Sequence, residues 1–190
     1  GGEEDNAPGS QIMKVLVDIF SGDELISDAL NLSLEYDDSI YTVVSKMINP
    51  DDVGKVDIGS SNHFGGGEED NAPEEGVEKV NNIINNFNLE EYIGSKKDVK
   101  EIFLKRITEM RERLSDKPDR LKAWAKGGAI EGFVKKVFSN FDECRFFMGS
   151  SYGEDCDKES MPVVAFWVDE EKHTGETFHI FKDCVREVKC

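Results

Sequence analysis

Between Ser95 and Phe141 the apolar residues fall at the spacing of helices, and this restricts the fold more than any other stretch. Val99, Phe103, Ile107, Met110 and Leu114 are separated by four, four, three and four positions, which places them on one helical face. Pro118 stands where a second helix would begin, a position that tolerates its missing N–H. Leu121, Trp124, Ala125, Ala129, Phe133 and Val137 then repeat the spacing. Ser115 or Asp116 is the expected cap. The spacing therefore predicts two antiparallel helices joined by a short turn. Gly128 and Gly132 make a GxxxG step, read as close approach of the second helix to its neighbour. The same stretch is basic. Residues 95–140 hold 13 Lys/Arg against 7 Asp/Glu, a local charge of +6 on a chain whose total is −17. One cationic element on an anionic body reads either as a solvated helix surface or as a docking face for an acidic partner.

The acidic balance argues against general nucleic-acid binding, which needs a broad basic surface. With 190 residues and 38% hydrophobic content, the chain supports one domain with some segments left outside its core. Its four cysteines, Cys144, Cys156, Cys184 and Cys190, form no CxxC pair, and His63, His173 and His179 are scattered, so no structural zinc is expected. No spacing suggests a Ser/His/Asp, Cys/His or paired-carboxylate centre, so covalent catalysis is not expected and no catalytic residue is assigned. There is no signal peptide and no apolar run near membrane-spanning length, which makes the cytoplasm the default compartment.

Residues 1–8, GGEEDNAP, recur letter for letter at 66–73. Residues 1–12 are read as tag-derived, with a native single domain over 13–190. Lys14–Phe20 is β-rich, Ser21-Gly22-Asp23-Glu24 is a turn signature, and Leu25–Ala29 resumes as a strand. Leu32–Met47 alternates about an Asp37-Asp38 turn, which predicts a β-hairpin. Residues 49–76, rich in Gly, Pro and acids, read as a long flexible acidic loop. Val77–Tyr92 suits either a helix or a strand. Four asparagines disfavour a helix interior, so a strand is favoured. Arg145–Met148, Met161–Val168, Thr177–Lys182 and Val185–Lys189 read as strands, with an acidic turn at Ser150–Ser160. The layout is an α+β domain.

These segments together resemble the translationally controlled tumour proteins. The opening MKVLVDIFSGDELISDA, the loop FGGGEEDNAPEEG at 64–76, the helical KPDRLK at 117–122, VFSNFDECRFFMG at 137–149 and the tail IFKDCVREVKC occur in the family's order. The chain departs from the family pattern in the acids and Pro73 of the loop, in Cys184 where the tail has glycine, and at Ser150–Ser160. The resemblance implies a β-tent of twisted sheets, like that of Rab exchange factors, with a projecting α-helical hairpin over 95–140. It also implies that Val77–Glu91 is a strand.

For function, the resemblance implies a multi-partner cytoplasmic adaptor in growth and stress survival. Glu24 would contact a small GTPase of Rheb or Rab type, with nucleotide-exchange activity. The basic hairpin would bind tubulin, through Lys100, Lys105, Arg111, Arg113, Lys122 and Lys126 taken as a set. No cofactor is required. Calcium is the one ion implied, with weak binding assigned to Glu68, Glu69, Asp70, Glu74 and Glu75. Cys190 is the candidate for a disulfide linking two otherwise monomeric chains. The alternative is a chaperone-like or anti-apoptotic survival factor acting through the hairpin or the acidic loop.

Overall fold

A computed structural model describes residues 14–50, 79–155 and 159–189. The expected tag residues 1–12, residues 51–76 of the expected acidic loop and Cys190 lie outside the described residues. Three strands form a small antiparallel sheet: β1 (Lys14–Asp18) lies between β2 (Glu24–Ser27) and β11 (Val185–Lys189). A second, six-stranded antiparallel sheet runs in the order β3 (Ser33–Glu35), β4 (Ile40–Val44), β10 (Thr177–Phe181), β9 (Val163–Phe166), β8 (Arg145–Met148) and β7 (Glu90–Tyr92). A two-stranded ribbon joins β5 (Met47–Ile48) to β6 (Val80–Asn81).

The central strands of the six-stranded sheet, β8, β9 and β10, form the middle layer and are buried along nearly their whole length, whereas the edge strands β3 and β7 are largely exposed. Successive side chains of a strand point to opposite faces. Phe146, Val164 and Phe181 face the helices, whereas Phe147, Val163, Ala165, Phe178 and Ile180 face Leu16, Leu25 and Ile26 of the small sheet. Both faces are covered, so both sets must be apolar. The β3–β4 turn takes Tyr36, Asp37 and Asp38 at φ of 57°, 56° and 58°, a left-handed run that suits aspartate.

The stretch expected to be a strand from Val77 is only briefly one. After β6 it forms a helix, α1 (Asn82–Phe87), before β7. Asn81 and Asn88 sit at its ends, where asparagine favours a helix, although Asn85 and Asn86 lie within it. The Asn81 side chain accepts from the Ile83 and Ile84 N–H groups, and Asn88 closes the helix at φ 52°. The strand implied by the family resemblance is corrected for the same reason.

Helix α2 (Lys96–Arg113) opens with a reciprocal capping box: Asp98 N–H donates to Ser95 Oγ at 3.1 Å and Ser95 N–H donates to Asp98 Oδ2 at 3.3 Å. All five apolar residues expected on its inner face are buried. The second expected helix is broken into α3 (Pro118–Trp124) and α4 (Ala129–Ser139). Lys117, not Ser115 or Asp116, is the N-cap of α3, and no side chain caps it. Gly127 adopts φ +83°, which halts the helical path. A Cβ on Gly128 would lie 2.5 Å from the Lys122 and Ala123 carbonyl oxygens, so only glycine lets α4 start against the end of α3. Gly132 faces open space, so of the GxxxG step only Gly128 makes the close approach expected of it. The helices lay their inner faces on the sheet, where Phe103 meets Phe146 and Phe181 at 6.1 and 6.0 Å between ring centroids.

Candidate partner-docking face

Two helical stripes bound an open groove of about 630 Å³. One wall is α2, through Lys96, Lys100, Leu104, Ile107, Thr108 and Arg111. The other is α4, through Ile130, Val134, Lys135 and Phe138, with Trp124 from α3. The edge contact of Phe103 with Phe138, 5.4 Å between centroids, ties the two walls together from within the core. Leu104 is 55% exposed although it is a large apolar side chain on a well-packed helix. The groove thus joins apolar side chains with a basic rim.

The electrostatics of that rim are one-sided. Lys96, Lys100 and Lys135 form no ion pair among the described residues, and Arg111 is held only by its Nε–H bond to the Trp124 carbonyl at 2.7 Å. The lining carboxylate, Glu131, accepts the Gly127 N–H at 2.6 Å. Four cations therefore face a single acid that already has a donor.

The six basic residues expected to act as a set separate into three groups. Lys100 and Arg111 line the groove. Lys105 and Arg113 lie on another side of α2 and each has a carboxylate partner, shared with Arg106: Lys105 pairs with Glu159 at 3.7 Å and Arg113 with Glu109 at 3.1 Å. Lys122 and Lys126 line a separate depression at the α3–α4 junction beside Asp37, Asp119 and Arg120. The assignment of all six to one surface is corrected. Its cause is helical phase, because five positions along α2 turn a residue well away from the starting direction. Lys96, Lys135, Leu104 and Val134 belong to the groove and were missed. The Lys96, Lys100, Leu104, Thr108 stripe was legible at intervals of four beside the buried stripe.

Arg106, also on α2, is a structural cation. It is 9% exposed, donates to Glu109 at 2.7 Å and to the Glu159 carbonyl at 2.8 Å, and lies 4.6 Å from the Phe20 ring centroid. Arg120 is another, held by Asp183 at 2.6 Å from Nη2 to Oδ2. Trp124 Nε1 donates to the same Asp183 oxygen at 2.9 Å. These charges anchor the helices to the sheets.

Glu24 begins β2, is exposed and does not line the groove. Its side chain makes no hydrogen bond or ion pair among the described residues. The loop before it is fixed at both ends. Asp18 accepts the Phe20 N–H at 2.8 Å and the Ser21 hydroxyl at 3.1 Å. Asp23 accepts the Ser151 N–H at 3.1 Å and its hydroxyl at 2.7 Å, joining this loop to the one after β8. Burial pushes the Asp18 carboxyl above its ordinary value.

Burial also holds the described thiols in their protonated form. The half-buried Cys144 is pushed up to about 11 by burial and then by Glu143, and the buried Cys184 is pushed well above the ordinary thiol value. His179 is buried, with a ring nitrogen 3.1 Å from the Val164 carbonyl and its face stacked on Phe166 at 4.3 Å. Desolvation lowers its pKa to about 4, so the ring is neutral and serves as packing. Among the described residues no group of three or more His, Cys, Asp or Glu is placed to hold a metal. The calcium candidates Glu68, Glu69, Asp70, Glu74 and Glu75, like Cys190, lie outside the described residues. No described helix is long and apolar enough to cross a membrane.

Comparison with known proteins agrees with this architecture. The family model for translationally controlled tumour protein matches residues 13–186. The homologue from Candida glabrata is 34% identical over 174 residues, covering 84% of this chain and 99% of the relative. The homologue from Schizosaccharomyces pombe is 36% identical over 144 residues, covering 75% of this chain and 83% of the relative. The solved structure of the Schizosaccharomyces pombe translationally controlled tumour-associated protein superposes with a TM-score of 0.67 at 29% identity, covering 93% of this chain and 99% of that one. The Caenorhabditis elegans protein superposes at 0.64 and 25% identity, with 93% and 98% covered. The two-sheet body, the helical layer and these matches over most of the chain lead to one assignment: the chain belongs to the translationally controlled tumour protein family.

Proposed function

We propose that the chain is a cytoplasmic regulatory adaptor of growth and stress survival, not a catalyst of covalent chemistry. In this reading it engages tubulin through the basic rim of the α2–α4 groove and a small GTPase of Rheb or Rab type through Glu24. Weak calcium binding and a Cys190-linked dimer belong to the same reading on the family resemblance alone. The observation that carries the proposal is the set of four groove cations without a carboxylate partner among the described residues, on a chain of net charge −17. Acidic polypeptide tails are drawn to such a face while the anionic body repels them elsewhere. Co-pelleting with microtubules should weaken steeply as salt rises through ~0.1 M, where the Debye length is about 10 Å. Pelleting that ignores salt would contradict the proposal.

The GTPase arm rests on a different residue and is tested separately. Glu24 leaves a firmly braced turn with its carboxylate unengaged among the described residues. Such a carboxylate, presented to a P-loop lysine or near the magnesium site, competes with nucleotide phosphate and speeds release. Labelled GDP release from a Rheb- or Rab-type GTPase should accelerate with the wild type and lose that acceleration with Glu24→Ala. Identical rates for the two proteins would remove the GTPase role and leave the tubulin role standing.

A further inference from the structure

We propose that the α2–α4 groove receives one amphipathic, acidic helix from a partner protein, seated by apolar anchors as well as by charge. This rests on the reading of the basic face as a docking surface and adds the conformation and anchoring of what docks there. A purely acidic tail would need only cations on an exposed surface. Here the cations flank apolar side chains of the two walls, Leu104 on one and Val134 and Phe138 on the other, and Leu104 is 55% exposed.

The shape favours a helix. Both walls are stripes at helical intervals, Lys96, Lys100, Leu104 and Thr108 on α2, and Ile130, Val134 and Phe138 on α4. A third helix laid along them would set its own rows of side chains between theirs. From Lys96 to Arg111 the α2 wall runs about 22 Å at ~1.5 Å per residue, enough for four turns of an occupant. The charge placement argues against a single-headed amphiphile such as a fatty acid. Lys96 and Lys100 stand near the start of α2 and Arg111 near its end, so matching charges must be spread along the ligand. Glu131, whose Oε1 accepts the Gly127 N–H, keeps its charge but is the one lining carboxylate against four cations, so the groove stays positive.

The test uses the full chain and three peptides of about 14 residues, a length that spans the wall at ~1.5 Å per residue. The first carries leucines at positions i, i+4, i+7 and i+11 with glutamate elsewhere. The second has the same composition with the leucines scrambled off one face. The third replaces leucine with serine. Binding is read by fluorescence anisotropy. The patterned peptide should bind about tenfold or more tightly than the scrambled one, the effect of seating one leucine-sized anchor. Leu104→Gln, at a position 55% exposed, should abolish that advantage, with folding of the variant checked by its melting curve. Equal affinities for patterned and scrambled peptides, all lost in Lys100→Glu, would overturn the helix proposal and leave charge-only docking intact. No binding of any peptide would overturn both. Dodecanoate binding as tightly as the patterned peptide, and displacing it, would overturn the proposal in favour of a single-headed ligand.

Discussion

Asp183→Ala should destabilise the protein by about 3 kcal/mol, the lower part of the range for removing one partner of a buried ion pair. Asp183 is the common acceptor at the junction of sheet and helices. It takes three bonds from Arg120, at 2.9 and 3.2 Å from Nε and 2.6 Å from Nη2, and one from Trp124 Nε1 at 2.9 Å. Its side chain is 10% exposed and that of Arg120 27% exposed, so some water reaches the guanidinium and the full buried-pair cost is not expected. Alanine leaves the Arg120 guanidinium with the Ser39 hydroxyl alone, 3.2 Å from Nη2, and leaves the Trp124 indole N–H without its acceptor. A domain of this size should then melt about 6–12 °C lower. Asp183→Asn, which keeps one acceptor for Trp124, should lose less. A shift below about 0.5 kcal/mol in urea unfolding for Asp183→Ala would show that this cluster does not fasten the helices.

The second large effect is on acid stability. His179 is neutral in the fold because burial lowers its pKa to about 4, against an ordinary 6.5. Between those values the unfolded chain binds a proton that the folded chain refuses. Stability from this residue is therefore complete above pH 6.5 and declines as pH falls toward 4, by about 3 kcal/mol across the window. Asp18 titrates with the opposite sign, because its raised carboxyl pKa makes the folded form bind protons more readily than the unfolded one. The comparison with His179→Gln separates the two. Glutamine can still donate to the Val164 carbonyl but has no proton to gain, so its unfolding free energy should be flatter between pH 6.5 and 4 than that of the wild type. Parallel profiles would show that the imidazole is not kept neutral by its surroundings.

Much of the body could be read from the chain, and the particular residues show why. Arg145–Met148 and Val185–Lys189 are strands at the boundaries their β-rich patterns indicate. The inner face of α2 was legible because burial on one side imposes the 3.6 period. Three features were not. Asn81 and Asn88 lower helix propensity in an interior yet favour a helix when they fall at its ends, and composition alone does not give the position. The break at Gly127 and Gly128 leaves the apolar spacing of Trp124, Ala129 and Phe133 nearly in phase, so periodicity runs across it. Arg106, Arg113 and Arg120 look like surface charge in the sequence, but their carboxylate partners come from helical geometry or from distant segments such as Glu159 and Asp183. Net charge located the basic element, whereas only the pairing of each cation shows which of them remain free for a partner.

That distinction gives the most direct test of the account. Microtubule pelleting at ~0.05 M salt should be compared for two variants of equal charge change, Lys100→Glu/Lys135→Glu in the groove and Lys105→Glu/Arg113→Glu outside it. The groove pair should lose most of its binding and most of its salt dependence, while the other pair, checked for folding because it also breaks contacts to Glu159 and Glu109, should bind nearly as the wild type does. Equal losses in two folded variants would mean that total charge rather than the groove recruits the partner, and would contradict the assignment of the docking face.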